Sequence, residues 1–304
     1  MPSPLLLAAA RSDRMRGVVT TVPLTRGVVD RFVAGETVED AIGVVRELSG
    51  AGLLTTLDHL GEDTTERSQA DATRDAYLDL LAALEEQGLA KGSEASVKLS
   101  ALGQRLPGDL ALDNARAVCA AAGRAGMTVT LDMEDHTTVD STLDILGKLR
   151  ADFPWVGVAV QAMLRRSEGD LRDLAHEGSR VRLVKGAYAE PGSVAFQGKP
   201  EIDRAYVRGL RTLMEGAGYP MVGSHDPRMI EIALAMAARS ARAADSYEFQ
   251  MLYGIRAAEQ RRLAEAHQMR VYVPYGADWY GYFMRRLAER PANLVFFLRS
   301  FVSR

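Results

Sequence analysis

The sequence predicts an α/β protein folded as a (β/α)₈ barrel of the TIM type. Three observations lead there. Eight short apolar runs rich in β-branched residues recur at fairly even intervals, helical patterns fill the gaps, and the 304 residues suffice for one large barrel. The first run is Leu53-Leu54-Thr55-Thr56-Leu57, ending in Asp58-His59. Ala95–Leu99, Val129–Asp132 and Val156–Val160 follow, with amphipathic helices expected at 68–88, 113–124 and 137–150. Val181–Val184, Pro220–Gly223, Tyr247–Leu252 and Arg270–Val273 complete the set, with helices expected at 201–217, 228–238, 256–267 and 278–290.

A doubly wound sheet is the competing architecture. It ordinarily shows a G-x-G-x-x-G turn after its first strand, and Leu57-Asp58-His59-Leu60-Gly61 offers none. Residues 1–50 are expected to form helices packed on a barrel spanning 51–304, with a helix start at Thr37-Val38-Glu39-Asp40. The Leu5–Ala10 run lacks a preceding basic residue and is followed by Arg11, Arg14 and Arg16, so it reads as a docking helix rather than a signal peptide.

An apolar share of 47% supplies a large core, and a net charge of −3 with no basic cluster argues against a nucleic-acid partner. The lone cysteine, Cys119, lies in a small-residue helix and reads as core. No apolar stretch approaches membrane-spanning length, so the protein reads as cytoplasmic, at most peripheral at the inner face of a membrane.

In such a barrel chemistry gathers at the C-terminal ends of the strands. The residues closing each run are Asp58, Lys98, Asp132, Glu134, Asp135, Gln161, Arg182, Lys185, His225, Asp226 and Tyr272. Inward charges need partners, and Lys98, Arg182 and Lys185 can pair with Asp132 and Glu134. Such pairs could also be a purely structural ring.

The last predicted helix is the most informative stretch. Arg285 and Arg286 sit one step apart, with Glu289 between them in projection. Trp279, Tyr282 and Phe283 lie on one side and Tyr280, Met284 and Leu287 on another, so the helix is packed on several sides at the barrel mouth. Adjacent arginines usually mark a solvated face. Here the aromatic surroundings favour a sheltered pair of forks able to take a carboxylate.

Together Ser96-Val97-Lys98-Leu99-Ser100, Leu131-Asp132-Met133-Glu134, Arg182-Leu183-Val184-Lys185-Gly186-Ala187-Tyr188 and Tyr282-x-x-Arg285-Arg286-x-x-Glu289-x-x-x-Asn293 resemble the proline dehydrogenases, from about Leu53 onward. The length is similar to that of the single-function bacterial enzyme. The resemblance implies FAD at the barrel mouth, hydride removal from L-proline to give 1-pyrroline-5-carboxylate, and a quinone as electron acceptor. It assigns Asp132 and Arg182 to catalysis. Lys98, Arg285 and Arg286 would hold the substrate carboxylate, and Tyr188, Leu252, Tyr272 and Tyr282 would wall the ring. Met133, Gln161, Lys185, Gly186, Ala187, Ser224, His225 and Glu289 would contact the flavin, Glu289 also buttressing the arginines. Ser224-His225-Asp226 departs from the family's usual Thr-His-Asn.

Two enzymatic rivals share the fold: a metal-dependent isomerase or hydrolase using Asp132, Glu134, His136, His225 and Asp226, and a Schiff-base lyase using Lys98 or Lys185. A non-enzymatic carboxylate-binding protein would keep the arginine clamp alone. The Glu190–Pro200 segment, with two glycines and two prolines, reads as a mobile lid or cofactor-covering loop.

Overall fold

A computed structural model describes residues 29–289, of which 285–289 are described as backbone only. Eight parallel strands close on themselves in sequence order: β1 (Leu54–His59), β2 (Ser93–Val97), β3 (Thr128–Leu131), β4 (Gly157–Gln161), β5 (Arg180–Val184), β6 (Tyr219–Gly223), β7 (Glu248–Leu252) and β8 (Gln268–Tyr275). The last pairing, β8 with β1, carries Thr56 opposite Tyr272 and His59 opposite Tyr275. Helix α1 (Val38–Gly50) precedes β1. Thereafter each strand is followed by a helix: α2 (Arg67–Glu86), α3 (Leu110–Arg124), α4 (Val139–Arg150), α5 (Ser167–Leu174), α6 (Lys199–Glu215), α7 (Pro227–Arg239), α8 (Ala257–Ala264) and α9 (Trp279–Glu289).

Side chains alternate strictly across the barrel wall. Leu57, Val97, Leu131, Val160, Leu183, Val222, Phe249 and Val271 share one parity and are buried in the main core. The other parity carries Thr56, Glu94, Ser96, Thr130, Arg182, Glu248, Gln250 and Arg270. In register Leu57 meets Ala95 while Thr56 meets Glu94, so the two sets never mix. Most apolar side chains therefore pack outward on the helices, and the barrel interior, apart from residues such as Ala159 and Met221, is polar where many barrels are filled by branched aliphatics.

The eight expected strands are all present, displaced by up to two residues at their ends. Helix α5 had no bounds in the sequence reading: Leu171 and Leu174 are its only large apolar residues, too few to register a period. Helix α1 begins where expected. Thr37 Oγ1 accepts from Asp40 N–H at 3.2 Å, and Asp40 Oδ2 accepts from Thr37 N–H at 3.1 Å. Its buried face, Ala41, Ile42, Val45 and Leu48, joins the main core. Cys119 is buried, which pushes its thiol up to about 12.

Deep in the interior Arg270 donates to both oxygens of Glu248, at 2.7 and 3.1 Å, and to the carbonyls of Thr55 and Gly92 at 2.7 and 2.9 Å. Glu248 is fully buried. Arg270→Met strips its counter-charge, and breaking such a buried pair costs about 3–5 kcal/mol. Denaturant unfolding of the variant measures this directly; a loss below about 1 kcal/mol, in the range of ordinary surface changes, contradicts it.

Candidate active site

Arg182, from the middle of β5, is the hub of the barrel interior. Its Nη1 donates to Asp132 Oδ1 at 2.5 Å and Ser96 Oγ at 2.7 Å. Nε donates to Gln250 Oε1 at 2.6 Å, and Nη2 to Glu94 Oε1 at 3.1 Å. Four of its five N–H groups are thus committed within the barrel. The guanidinium lies over the Tyr272 ring, 5.4 Å from its centroid, and Tyr272 Oη donates to Asp132 Oδ2 at 2.7 Å. Ser96, Asp132, Arg182, Gln250 and Tyr272 therefore form one network built from five strands.

Glu94 anchors the network from below. It is fully buried and also accepts from Arg180 Nη2 and Thr128 Oγ1, each at 3.0 Å. Burial alone would raise its pKa, but the guanidiniums of Arg270, Arg180 and Arg182 outweigh that and hold it at about 2. Desolvation of the half-buried Tyr272, with the carboxylates of Asp132 and Asp58 beside it, pushes its phenol far above the ordinary range.

Lys98 follows β2 directly, and its ammonium donates to Asp58 Oδ1 at 2.5 Å with Asp132 Oδ2 at 3.8 Å. Burial works against the charge. The carboxylates of Asp58 and Asp132 overcome it and raise the lysine pKa, so Lys98 is a fixed cation. Asp58 itself is pushed up by burial and by Asp132, against the pull of Lys98.

The residues expected near a flavin form an arc on the ends of β3 to β7. Gln161 Nε2 donates to the carbonyls of Met133 at 3.1 Å and Glu134 at 2.6 Å. Its Oε1 is buried, and no donor among the described residues reaches it. Lys185 pairs with Asp203 at 2.5 Å and Asp226 at 2.8 Å, and these contacts raise its pKa against burial. The expected pairing of Lys185 with Asp132 or Glu134 is therefore corrected. Glu134 is satisfied by Ser100 instead, accepting from its backbone N–H at 3.0 Å and its hydroxyl at 2.5 Å.

Gly186 has φ +109°, and a Cβ there would fall 2.4 Å from Met163 Sδ, so the backbone itself requires glycine. Ala187 is exposed and Tyr188 half-buried against the main core. Ser224 is buried and its Oγ accepts from Asp226 N–H at 3.2 Å. His225 Nε2 accepts from Leu252 N–H at 2.9 Å, and Asp226 caps α7 through Arg228 N–H at 3.1 Å. Leu252 is half-buried and stands in register with Tyr272.

Two expectations need revision. The Glu190–Pro200 segment is tied down rather than free: Arg165 N–H donates to Val194 O and Phe196 N–H to Met163 O, each at 2.9 Å, and buried Glu190 accepts from the His136 backbone and ring. The metal-ligand set also diverges. Asp132 serves Arg182 and Tyr272, Glu134 serves Ser100, His136 meets Glu190, His225 meets Leu252 and Asp226 meets Lys185. Nor does either lysine suit Schiff-base chemistry, which needs a neutral amine.

Tyr282 is buried on α9. The side chains of Arg285, Arg286 and Glu289, and all of Asn293, lie outside the described residues. Glu94, Ser96 and Gln250 were missed in the sequence reading. Their signal was present as polar residues at every second position of Glu94-x-Ser96-x-Lys98 and Glu248-x-Gln250.

A family model described as proline dehydrogenase matches residues 41–299. Proline dehydrogenase 1 of Bacillus subtilis is 39% identical over 281 residues, 92% of each chain. The proline dehydrogenase of Deinococcus radiodurans is 40% identical over 275 residues, 88% of each. Among solved structures, proline utilization A of Bdellovibrio bacteriovorus matches with a TM-score of 0.80 at 24% identity, over 93% of this chain and 35% of that one, a likeness of fold.

The depressed Glu94 pKa makes a signed prediction. A carboxylate held at about 2 against an ordinary 4.5 adds stability above pH 4.5 that is lost as pH falls towards 2. Glu94→Gln should be less stable at neutral pH, with an acid limb shallower than the wild type by up to about 1.4 kcal/mol per pH unit. Parallel limbs in a urea titration across that window contradict the assignment.

Proposed function

The chain belongs to the proline dehydrogenase family, and from that premise we propose that it oxidises L-proline to 1-pyrroline-5-carboxylate with FAD at the strand ends and a quinone as electron acceptor. The family makes it an oxidoreductase of proline catabolism. Among the described residues no helix is long and apolar enough to cross a membrane, and contact with a quinone in a membrane would be peripheral.

The observation that carries the cofactor reading is Gln161. A buried carbonyl oxygen without a donor is costly, and a flavin ring N–H is a donor of the right kind to satisfy it. Met133, Gln161, Lys185, Gly186, Ala187, Ser224, His225 and Glu289 would hold the group. When bound, FAD supplies the acceptor for the hydride leaving the ring carbon beside the proline nitrogen.

The chain's own residues bind and align. Lys98 stays protonated because Asp58 and Asp132 hold it so, and it offers a fixed cation to the substrate carboxylate. Within the barrel, Lys98, Arg180, Arg182 and Arg270 face Asp58, Glu94, Asp132 and Glu248. These charges balance, so an incoming carboxylate needs further cations, the role proposed for Arg285 and Arg286 with Glu289 orienting them. Asp132 holds both Tyr272 and Arg182 in place, and Arg182 keeps positive charge below the reacting centre. Tyr188, Leu252, Tyr272 and Tyr282 would wall the ring, a larger residue at 282 favouring proline over its hydroxylated analogue.

Purified protein should carry flavin absorption bands, and added FAD should raise Tm; absence of both sinks the reading. Arg285→Met should raise KM for proline about 10- to 100-fold, the worth of a charge-assisted hydrogen bond, with the flavin spectrum intact. Loss of flavin in that variant would assign the helix to the cofactor instead.

A further inference from the structure

Helix α9 is seated differently from the other barrel helices. Its Trp279, Tyr280, Tyr282, Phe283 and Met284 belong to a small hydrophobic cluster separate from the main core. The partners there are Val29, Phe32 and Val33 from the segment before α1, with Leu60 after β1 and Ile255 after β7. Phe32 and Phe283 have ring centroids 6.4 Å apart, and Trp279 and Phe283 stand edge to face at 6.0 Å.

The same segment is fastened at three further points. Ala34 N–H donates to Pro274 O, and Gly276 N–H to Gly35 O, each at 2.9 Å. These two bonds grip the end of β8 and the turn leading into α9. Trp279 Nε1 donates to Glu36 Oε1 at 2.9 Å. On the far side the segment presses on the β7–α8 loop so closely that a Cβ on Gly254, at φ +71°, would fall 1.7 Å from Arg31 O. The backbone can pass only because residue 254 is glycine.

We propose that residues 29–36 are a strap that positions α9, so that affinity for proline depends on a segment that precedes the barrel; Phe32 and Glu36 are its positioning residues. The inference rests on the reading above that α9 lines the substrate site. The barrel wall holds Lys98 and Tyr272 through strands, but Tyr282 and the arginine pair ride on a helix whose apolar seat is supplied largely by the strap. Loosening the strap displaces one half of the substrate site and leaves the half built on the barrel. Because positioning errors near 1 Å cost on the order of 100-fold, even a small shift of α9 is visible in kinetics.

The chain has two tryptophans, Trp155 and Trp279, so a Trp155→Phe background makes Trp279 a reporter of the seat. In the holoenzyme, Phe32→Ala should raise KM for proline about 10- to 100-fold while kcat holds and FAD stays bound through the seven proposed contacts that stand on the barrel, Glu289 being the one on α9. Trp279, buried in the wild type, should become open to acrylamide quenching. Phe32→Leu should restore both. Glu36→Ala, which removes only the hydrogen bond to Trp279, should shift KM and quenching in the same direction more weakly, and serves if Phe32→Ala does not fold. Val45→Ala, in the main core, should lower Tm and leave KM unchanged. If Trp279 stays protected in both strap variants, the strap does not seat the helix and the proposal is overturned. If Trp279 opens while KM stays put, the seat stands but α9 does not serve the substrate, which overturns both the dependence proposed here and the substrate reading beneath it. Loss of kcat together with release of FAD, in step with the rise in KM, also overturns it, since that marks general damage.

Discussion

Arg182 meets Asp132, Ser96, Gln250 and Glu94 from the centre of the barrel, and the remaining geometry follows from satisfying that one buried guanidinium. Removing a guanidinium from water is expensive, and its ion pairs repay that cost only when nearly every donor is met. The partners come from β2, β3 and β7, so the barrel must close in one register to deliver them. Those partners are fixed in turn: Asp132 by Tyr272, Glu94 by Arg180, and Gln250 by Glu248, which belongs to Arg270. A ring of this kind adds modest net stability compared with an apolar filling. What it supplies is direction, because each polar group at the barrel mouth is held by another beneath it.

In the proposed site that design separates a half held by the barrel from a half carried on α9. Arg182 and Tyr272 stand on strands and Lys98 and Asp132 immediately after them, so their positions are set by the barrel. Tyr282 stands on α9, which packs in its own cluster on the strap. The hydride transfer proposed for this chain would ask mainly for alignment of a carbon over an acceptor, which a rigid floor with a separately seated wall suits. Charge supports the same division: the floor is balanced within itself, and the further cations a substrate carboxylate needs are proposed to come from α9.

Much of this was legible in the residues. The eight strands follow from apolar runs such as Val181–Val184, and Lys98, Asp132 and Gln161 lie at strand ends as the barrel rule requires, whereas Arg182 reaches in from the middle of β5. The polar interior was harder to see, since Glu94 and Arg270 fall at strand starts, where the same rule places no chemistry. Lys185 illustrates the limit of pairing charges along a sequence: its partners are Asp203, in the first turns of α6, and Asp226, after β6, and the fold brings both to it. Helix α5 lacks the apolar content to announce itself. The Glu190–Pro200 loop reads as mobile from its glycines and prolines, yet its backbone is bonded to the loop after β4, a contact that composition cannot reveal.

The central claim is that the network around Arg182 forms the floor of a flavin site at which proline is oxidised. Anaerobic titration of the purified, FAD-loaded protein with L-proline tests it most directly. The visible flavin bands should bleach on adding proline, with bleaching abolished or slowed by orders of magnitude in Arg182→Met at retained fold. Bands that persist under excess proline in the wild type, or that bleach equally well in the variant, contradict it.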